Sequence, residues 1–348
     1  MIRLAILGTG SMAQQHADRL KEIAGVRLVA CCDVDQARVH AFAQHNTIPH
    51  AYTDVAALLA AGGLDAVTIV AADAAHKDLA VRAARHGLHI LCEKPLAANA
   101  AEANAMVQAV RAAKVVNLVN FSYRASAALY KARDLVAAGA LGELRHVEAS
   151  YLQGWLTRAV WHTKQPISPG ALWRMSAAQS KGDLGDLGVH ILDFMTFVAG
   201  APCEIACHTT SLPKGLPGNK YKGVLLDAND SFVASLRFAN GALGVVHSSR
   251  WATGPNNSIR LRVYGTAGAL VVDLDSAWHT LQACCGKDVP AGRWRTLRCA
   301  KVPSIYQRFI RSVRTGTPGT PDFADGWRIQ VYLDACLAAA ARGRAVRV

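Results

Sequence analysis

A chain of 348 residues is long enough for about two domains of roughly 150 residues each, and 51% hydrophobic against 18% charged residues is the balance of a globular protein that buries a core. No apolar run approaches the roughly 18 residues a membrane helix needs, and the start Met1-Ile-Arg-Leu-Ala-Ile6 lacks a signal peptide's basic region and cleavage site, so a soluble cytoplasmic protein is expected. The formal charge of +13 falls mostly on residues 151–348 and is densest over 287–314, where the absence of any helix-turn-helix, zinc finger or RNA-binding aromatic motif argues for a solvated face or oligomer rim against a nucleic-acid surface.

In chain order, residues 3–7 form a short apolar run that stops at Gly8, and residues 11–23 follow with helical spacing through Met12, Ala13, Leu20 and Ile23. That is strand, glycine turn, helix. A second apolar run at 26–32 ends at Asp33, and a weakly periodic helix is expected over 35–45. The alternation continues with strands at 66–71, 88–92 and 115–121, separated by helices at about 74–86 and 99–113. Strands alternating with helices over this length specify an α/β domain with a parallel, doubly wound sheet.

After a helix at about 126–138 the pattern changes at Gly139-Ala-Leu-Gly142. Strand-like runs dominate at 145–151, 230–238, 242–249, 259–264 and 269–272, and Asn240-Gly241 reads as a hairpin turn between two of them. An α+β domain with an antiparallel sheet is expected, with a helix at about 187–198 and a last helix at 326–341 packing back on the sheet. The domains are therefore expected at 1–122 and 123–348, with the last helix and C-terminal segment able to pack back towards the first domain. The nine cysteines fall as vicinal pairs or singles, and Cys203 and Cys207 have no further ligands at zinc spacing, so reduced thiols and no metal are expected.

Three segments carry chemistry. Gly8-Thr9-Gly10-Ser11-Met12-Ala13 places glycines and small residues where a strand turns into a helix, letting a pyrophosphate touch backbone N–H groups at the positive helix end. Asp33, at the end of the second strand, can accept from the adenosine ribose hydroxyls and repel a 2′-phosphate. Val34 and Asp35 offer no cation for that phosphate and Arg38 lies a helical turn away, so NAD is expected over NADP. Glu93-Lys94-Pro95 closes the strand at 88–92 on the carboxyl edge where such sheets bind ligands, and its X-Pro bond is a candidate for the cis form. In Gly182-Asp-Leu-Gly-Asp186-Leu-Gly-Val-His190-Ile-Leu-Asp193, a helix beginning near Asp186 would put Asp186 and His190 on one face. A carboxylate beside an imidazole orients it and raises its proton affinity, as a general base near neutral pH requires. In isolation, a capping Asp and a hydrogen-bonded core His are the simpler explanation of the same spacing, and Asp193 is expected to contact backbone or a neighbouring cation.

These segments, in this order and at these separations, resemble the Gfo/Idh/MocA oxidoreductase family. The likeness spans essentially the whole chain, through Val119-Asn-Phe-Ser-Tyr-Arg124, Gly139-Ala-Leu-Gly-Glu143, Trp173-Arg174, Phe238-Ala-Asn-Gly-Ala-Leu-Gly244, Tyr264-Gly265-Thr-Ala-Gly268 and Asp325-Gly326. It implies a Rossmann domain joined to a domain with a large open sheet that forms homodimers or homotetramers, and a sugar or polyol as substrate. It implies Lys94, Asp186 and His190 as the catalytic set, with His190 taking the hydroxyl proton, Lys94 bonding the same oxygen and Asp186 holding the imidazole. Gly8, Gly10, Ser11, Met12, Ala13, Asp33, Ala71, His76, Glu93 and Lys94 would meet the cofactor, and Tyr123, Arg124, Trp173 and Arg174 would line the substrate pocket or pack between domains. The chain departs from relatives at Ala71-Ala72-Asp73, where Asp73 is a poor neighbour for phosphate, and at Ser180-Lys181-Gly182-Asp183, which would narrow or recharge a substrate entrance. A non-catalytic dinucleotide sensor and a redox-neutral, NAD-using glycoside enzyme are the rival readings.

Overall fold

The structure is a computed structural model and describes residues 1–158 and 172–348. Contacts divide the chain into two compact units, one of Met1–Ser122 with Pro303–Gln330 and the other of Tyr123–Val302 with Val331–Val348.

In the first unit, β1 (Ile2–Leu7), β2 (Val26–Cys32), β3 (His50–Tyr52), β4 (Ala66–Ile69), β5 (His89–Cys92) and β6 (Asn117–Val119) alternate with α1 (Ser11–Lys21), α2 (Gln36–Asn46), α3 (Val55–Ala61), α4 (Asp73–Arg85) and α5 (Ala100–Ala113). All strand pairs are parallel, in the order β3-β2-β1-β4-β5-β6. The order reverses between β1 and β4, whose carboxyl ends open the crevice where doubly wound sheets hold ligands. The strands read as apolar runs because helices cover both faces. Local chemistry sets the helix starts: Asp35 accepts from Arg38 N, Asp54 from Ala56 N and Ala57 N, and Asn99 from Glu102 N.

The same unit contains a helix missing from the sequence-based assignment, Ile305–Thr315. A capping box starts it, Ser304 Oγ accepting from Gln307 N and Gln307 Oε1 accepting from Ser304 N. Ile305, Tyr306, Phe309 and Ile310 enter the core formed by Ile2, Leu4, Ile6, Leu20 and Leu28, while Arg311 and Arg314 stay exposed. Part of the basic 287–314 stretch is thus the wet face of an amphipathic helix. Its charge density hid the period. The α3 helix was also missed, being too short at seven residues to show one.

The second unit contains α6 (Ala127–Ala137), β7 (Leu144–Leu152), α7 (Val189–Ala199), β8 (Pro202–Thr210), the ribbon β9 (Lys220–Tyr221) with β10 (Val224–Leu225), and β11 (Ser231–Phe238), β12 (Leu243–Ser249), β13 (Ser258–Gly265), β14 (Gly268–Asp273), β15 (Thr280–Cys285), β16 (Arg295–Arg298) and β17 (Val346–Arg347). Its large sheet runs β16-β15-β14-β13-β7-β12-β11-β8-β17, antiparallel throughout except for the parallel pair β7–β12. Asn240-Gly241 turns between β11 and β12 as the sequence predicts. β8, β15, β16 and β17 extend the sheet beyond the predicted strands. Alternating burial along β11 leaves one sheet face to receive α7, which packs on β7, β12 and β13 with α6 beside it. The last helix, Phe323–Arg342, is longer than expected at its start, and its residues are divided between the two units. Among the described residues, no helix is long and apolar enough to cross a membrane.

Candidate active site

The turn after β1 is built on one obligatory glycine. Gly8 has φ +94°, and a Cβ there would lie 2.6 Å from Ala71 N, so the β1 end can reach the β4 end only without a side chain. Ala71 therefore belongs to the turn as a wall of backbone. Gly10 differs: it is the N-cap of α1, makes no side-chain cap, and a Cβ there would meet nothing within 4 Å. Ser11 and Met12 are exposed beside it and Ala13 is fully buried beneath. An uncapped helix start facing open space is what a pyrophosphate needs, so these residues fit a dinucleotide.

Asp33 stands at the end of β2 with its carboxylate already engaged. Oδ2 accepts from Thr9 N at 2.7 Å, Thr9 Oγ1 at 2.9 Å and Arg38 Nε at 3.2 Å, and Oδ1 accepts from Arg38 Nη2 at 2.6 Å and Asp35 N at 3.1 Å. Burial pushes the carboxyl's pKa up, but these donors, Arg38 first, outweigh it and bring it to about 2. Arg38 is thus nearer Asp33 than its position in the sequence indicates.

The segment Glu93-Lys94-Pro95 follows β5 and contains a cis Lys94–Pro95 peptide. Lys94 is half-buried. Glu93, expected at the cofactor, is turned into the unit's interior: its Oε1 meets His16 Nε2 at 2.8 Å and accepts from Asn120 Nδ2 at 2.5 Å, and its Oε2 accepts from Lys94 N at 3.1 Å. Thr68 Oγ1 meets the other ring nitrogen of His16 at 2.8 Å, and the Tyr306 ring stands edge-on to the imidazole. His76 is likewise buried, its ring nitrogens 3.0 Å from Pro95 O and 3.1 Å from Ala71 O. Glu93 and His76 brace the loops that carry Lys94 and Ala71.

In the second unit, Leu184–Gly188 forms a π-helical turn that runs directly into α7. Three glycines permit it. A Cβ on Gly182 would lie 2.5 Å from Asn229 O, one on Gly185 2.5 Å from Lys181 Cβ, and one on Gly188 2.9 Å from Leu184 Cδ1 and Phe232 Cε1. The wide turn holds Asp186, and His190 follows on the first turn of α7. Arg250 Nη2 donates to Asp186 Oδ2 at 3.0 Å, and Arg174 Nε lies 3.3 Å from the same oxygen. His190 is 9% exposed, with the Tyr123 ring edge-on at 4.9 Å between centroids and the Tyr151 ring at 6.3 Å. Tyr123, Arg174 and, through the guanidinium stacked on its ring at 4.7 Å, Trp173 therefore gather around Asp186 and His190.

Arg124 does not gather with them. It is 5% exposed, and its Nε and Nη2 grip Asp193 at 2.5 to 3.1 Å while its guanidinium lies 4.1 Å over the Phe197 ring. Asp193 thus has the cation expected for it, and Arg124 ties the loop before α6 to α7. The Ser180–Asp183 departure also differs from expectation. Asp183 is wholly buried and Lys181 pairs with Asp334 at 2.6 Å, so the Asp183 charge is directed into the interior.

Several participants had no signal in the sequence. Tyr151, Gln153 and Asn257 complete a polar ring with Tyr123: Tyr123 and Tyr151 hydroxyls meet at 2.6 Å, Tyr151 donates to Asn257 Oδ1 at 2.6 Å, and Gln153 Nε2 donates to the same oxygen at 2.8 Å. Arg250, at 0% exposure, sits behind Asp186 with Gly182 O and Arg174 O as further acceptors.

Comparison with known proteins agrees with this fold. Residues 2–121 match the model of an oxidoreductase family with an NAD-binding Rossmann fold, and residues 129–271 match the GFO/IDH/MocA C-terminal domain. The levoglucosan dehydrogenase of Pseudarthrobacter phenanthrenivorans is 28% identical, over 77% of this chain and 75% of its own. The myo-inositol 2-dehydrogenase of Thermotoga maritima is 26% identical, over 93% and 92%. Among solved structures, levoglucosan dehydrogenase in complex with NADH superposes with a TM-score of 0.86 at 25% identity, covering 100% of this chain and 99% of that one. The two family matches, on the domain that holds the glycine turn and on the domain that holds Asp186 and His190, establish that the chain belongs to the Gfo/Idh/MocA family of NAD-binding oxidoreductases.

Proposed function

We propose that this protein is a cytoplasmic dehydrogenase that oxidises a secondary hydroxyl of a sugar, anhydrosugar or inositol-type polyol, with Lys94, Asp186 and His190 as its catalytic set. The observation that carries the reading is the local build of Asp186 and His190. A carboxylate held by Arg250 and Arg174 stands four residues before an imidazole enclosed by aromatic rings, in a chain whose other unit offers an uncapped, open helix start to a dinucleotide. The sugar and polyol substrates in the relatives' names support the substrate class.

His190 takes the hydroxyl proton as general base. Asp186 keeps the imidazole oriented and favours its protonated form. Lys94 hydrogen-bonds the same substrate oxygen and stabilises the negative charge that grows on it as the proton leaves. Bound NAD supplies the acceptor for the hydride, at C4 of its nicotinamide. Gly8, Gly10, Ser11, Met12, Ala13 and Asp33 hold the dinucleotide, Ala71 forms the wall behind the turn, and Tyr123, Trp173 and Arg174 shape the pocket for the polyol. Self-association as a homodimer or homotetramer is assigned to the outer face of the large sheet, where Val233 is 53% and Leu243 51% exposed.

Mixing protein and NAD with a panel of anhydrosugars, aldoses and inositols while following the near-ultraviolet absorbance of NADH tests this reading. NADH accumulates with at least one member if it is right. Tight NAD binding with no NADH formed from any of them points instead to a sensor or a redox-neutral enzyme.

A further inference from the structure

Behind Asp186 lies a second carboxylate that the proposed reaction does not use. Asp183 precedes the π-helical turn and has 0% exposure. Its position is fixed by Asn229: Asp183 N donates to Asn229 O at 2.8 Å, Leu184 N donates to Asn229 Oδ1 at 2.9 Å, and a Cβ on Gly182 would lie 2.5 Å from Asn229 O. Arg250 is equally buried and lies between the two acids. It donates to Asp186 at 3.0 Å, yet its Nε is 3.7 Å from Asp183 Oδ1, beyond hydrogen-bond reach. Neither Asp183 oxygen makes a hydrogen bond of ordinary geometry, and the same holds for Arg250 Nε and for the Ser248 hydroxyl on β12. The other charges facing this acid are Asp186 on its own helical run and Asp230 just before β11, which is itself paired with the buried Lys214.

We infer that Asp183 is a positioning residue that acts through Arg250: the two carboxylates share one buried guanidinium, and the charge state of Asp183 sets how firmly Arg250 holds Asp186 against His190. The inference rests on the reading of Asp186 and His190 given above. When Asp183 is neutral, Asp186 is the one carboxylate of the two that Arg250 serves. When Asp183 loses its proton, it draws Arg250 Nε toward itself and adds a negative charge beside Asp186. Burial pushes the Asp183 carboxyl up to about 7, with Arg250 and then the nearby Ser248 hydroxyl opposing the rise and Asp186 and Asp230 adding to it, so the exchange falls in the working range of an enzyme. A raised folded-state pKa means that the folded protein holds a proton the unfolded chain has released, and the ionised acid costs stability as pH climbs from about 4 to about 7.

The experiment is a double-mutant cycle in melting temperature with the full chain, combined with pH profiles of kcat. Asp183→Asn should raise the melting temperature more at about pH 8 than at about pH 5.5. In an Asp186→Asn background that gain should fall by about half or more, because the freed Arg250 then stabilises ionised Asp183. The ratio of kcat for Asp183→Asn to that of the wild type should climb up to about tenfold across the same range, the effect of roughly one pKa unit. An equal gain in both backgrounds overturns the shared guanidinium. A ratio that stays flat with pH, beside an intact cycle, overturns the positioning role. If the wild type oxidises no polyol, the dehydrogenase reading is what has failed, and the melting cycle still decides the sharing.

Discussion

His16 Nε2 lies 2.8 Å from Glu93 Oε1, the imidazole wholly buried and the carboxylate nearly so. Burial alone would raise the pKa of Glu93, but hydrogen bonds from His16 and Asn120 and the nearby His16 and Lys94 charges bring it down to about 2. The residue beside Lys94 is therefore an anion locked into the core, and the loop that presents Lys94 inherits that rigidity through the Lys94 N bond.

Breaking this pair from one side leaves an uncompensated buried charge. His16→Ala should cost about 3–5 kcal/mol in urea unfolding. The pH dependence follows from the lowered folded pKa: the stabilisation is complete above about pH 4.5 and is lost as pH falls toward about 2. Glu93→Gln should thus lie below the wild type at neutral pH and converge with it in acid. A difference that is constant across that range would show that Glu93 is not ionised in the fold.

The two glycines of the first turn should separate folding from binding. Gly8→Ala forces a Cβ against Ala71 N in a left-handed backbone and should lower stability by more than about 2 kcal/mol. Gly10 has φ −73° and open space at its Cβ, so Gly10→Ala should melt with the wild type. It should nonetheless weaken NAD by about tenfold or more, since a methyl group then stands where the pyrophosphate approaches. Calorimetric titration with NAD beside thermal melts checks both.

Arg124 and Asp193 form a buried, two-pronged ion pair. Asp193→Ala should destabilise the protein by about 3–5 kcal/mol. The folded fraction should keep its KM for substrate, because neither residue gathers at Asp186 and His190. A raised KM with unchanged melting would return Arg124 to the pocket.

The sequence was informative where chemistry is local. Gly8 and Gly10 lie within one strand-turn-helix unit and Asp33 at the end of the next strand, so the βαβ unit they mark is legible from a pattern that a few residues carry. The Asn240-Gly241 hairpin is legible for the same reason. What the sequence concealed depends on tertiary neighbours. Arg250 reads as one more basic residue until the fold buries it against Arg174 O, Gly182 O and Asp186, and Glu93 looks like a cofactor ligand until His16 and Asn120, distant in sequence, close around it. Arg124 misled because its place next to Tyr123 gives no hint that its side chain turns onto Asp193. The helix start at Asp186 was anticipated to within a turn, but its π-helical form follows from contacts of Gly185 and Gly188 that no periodicity encodes.

The most direct test is NADH formation by His190→Asn on whichever polyol the wild type oxidises fastest, with NAD affinity measured on the same sample. The general base should account for about a hundredfold or more in kcat, while NAD binds as before, because Gly8, Gly10 and Asp33, the residues proposed to hold the dinucleotide, are untouched by the change. Undiminished turnover in that variant would remove His190 from the chemistry and contradict the proposed proton transfer.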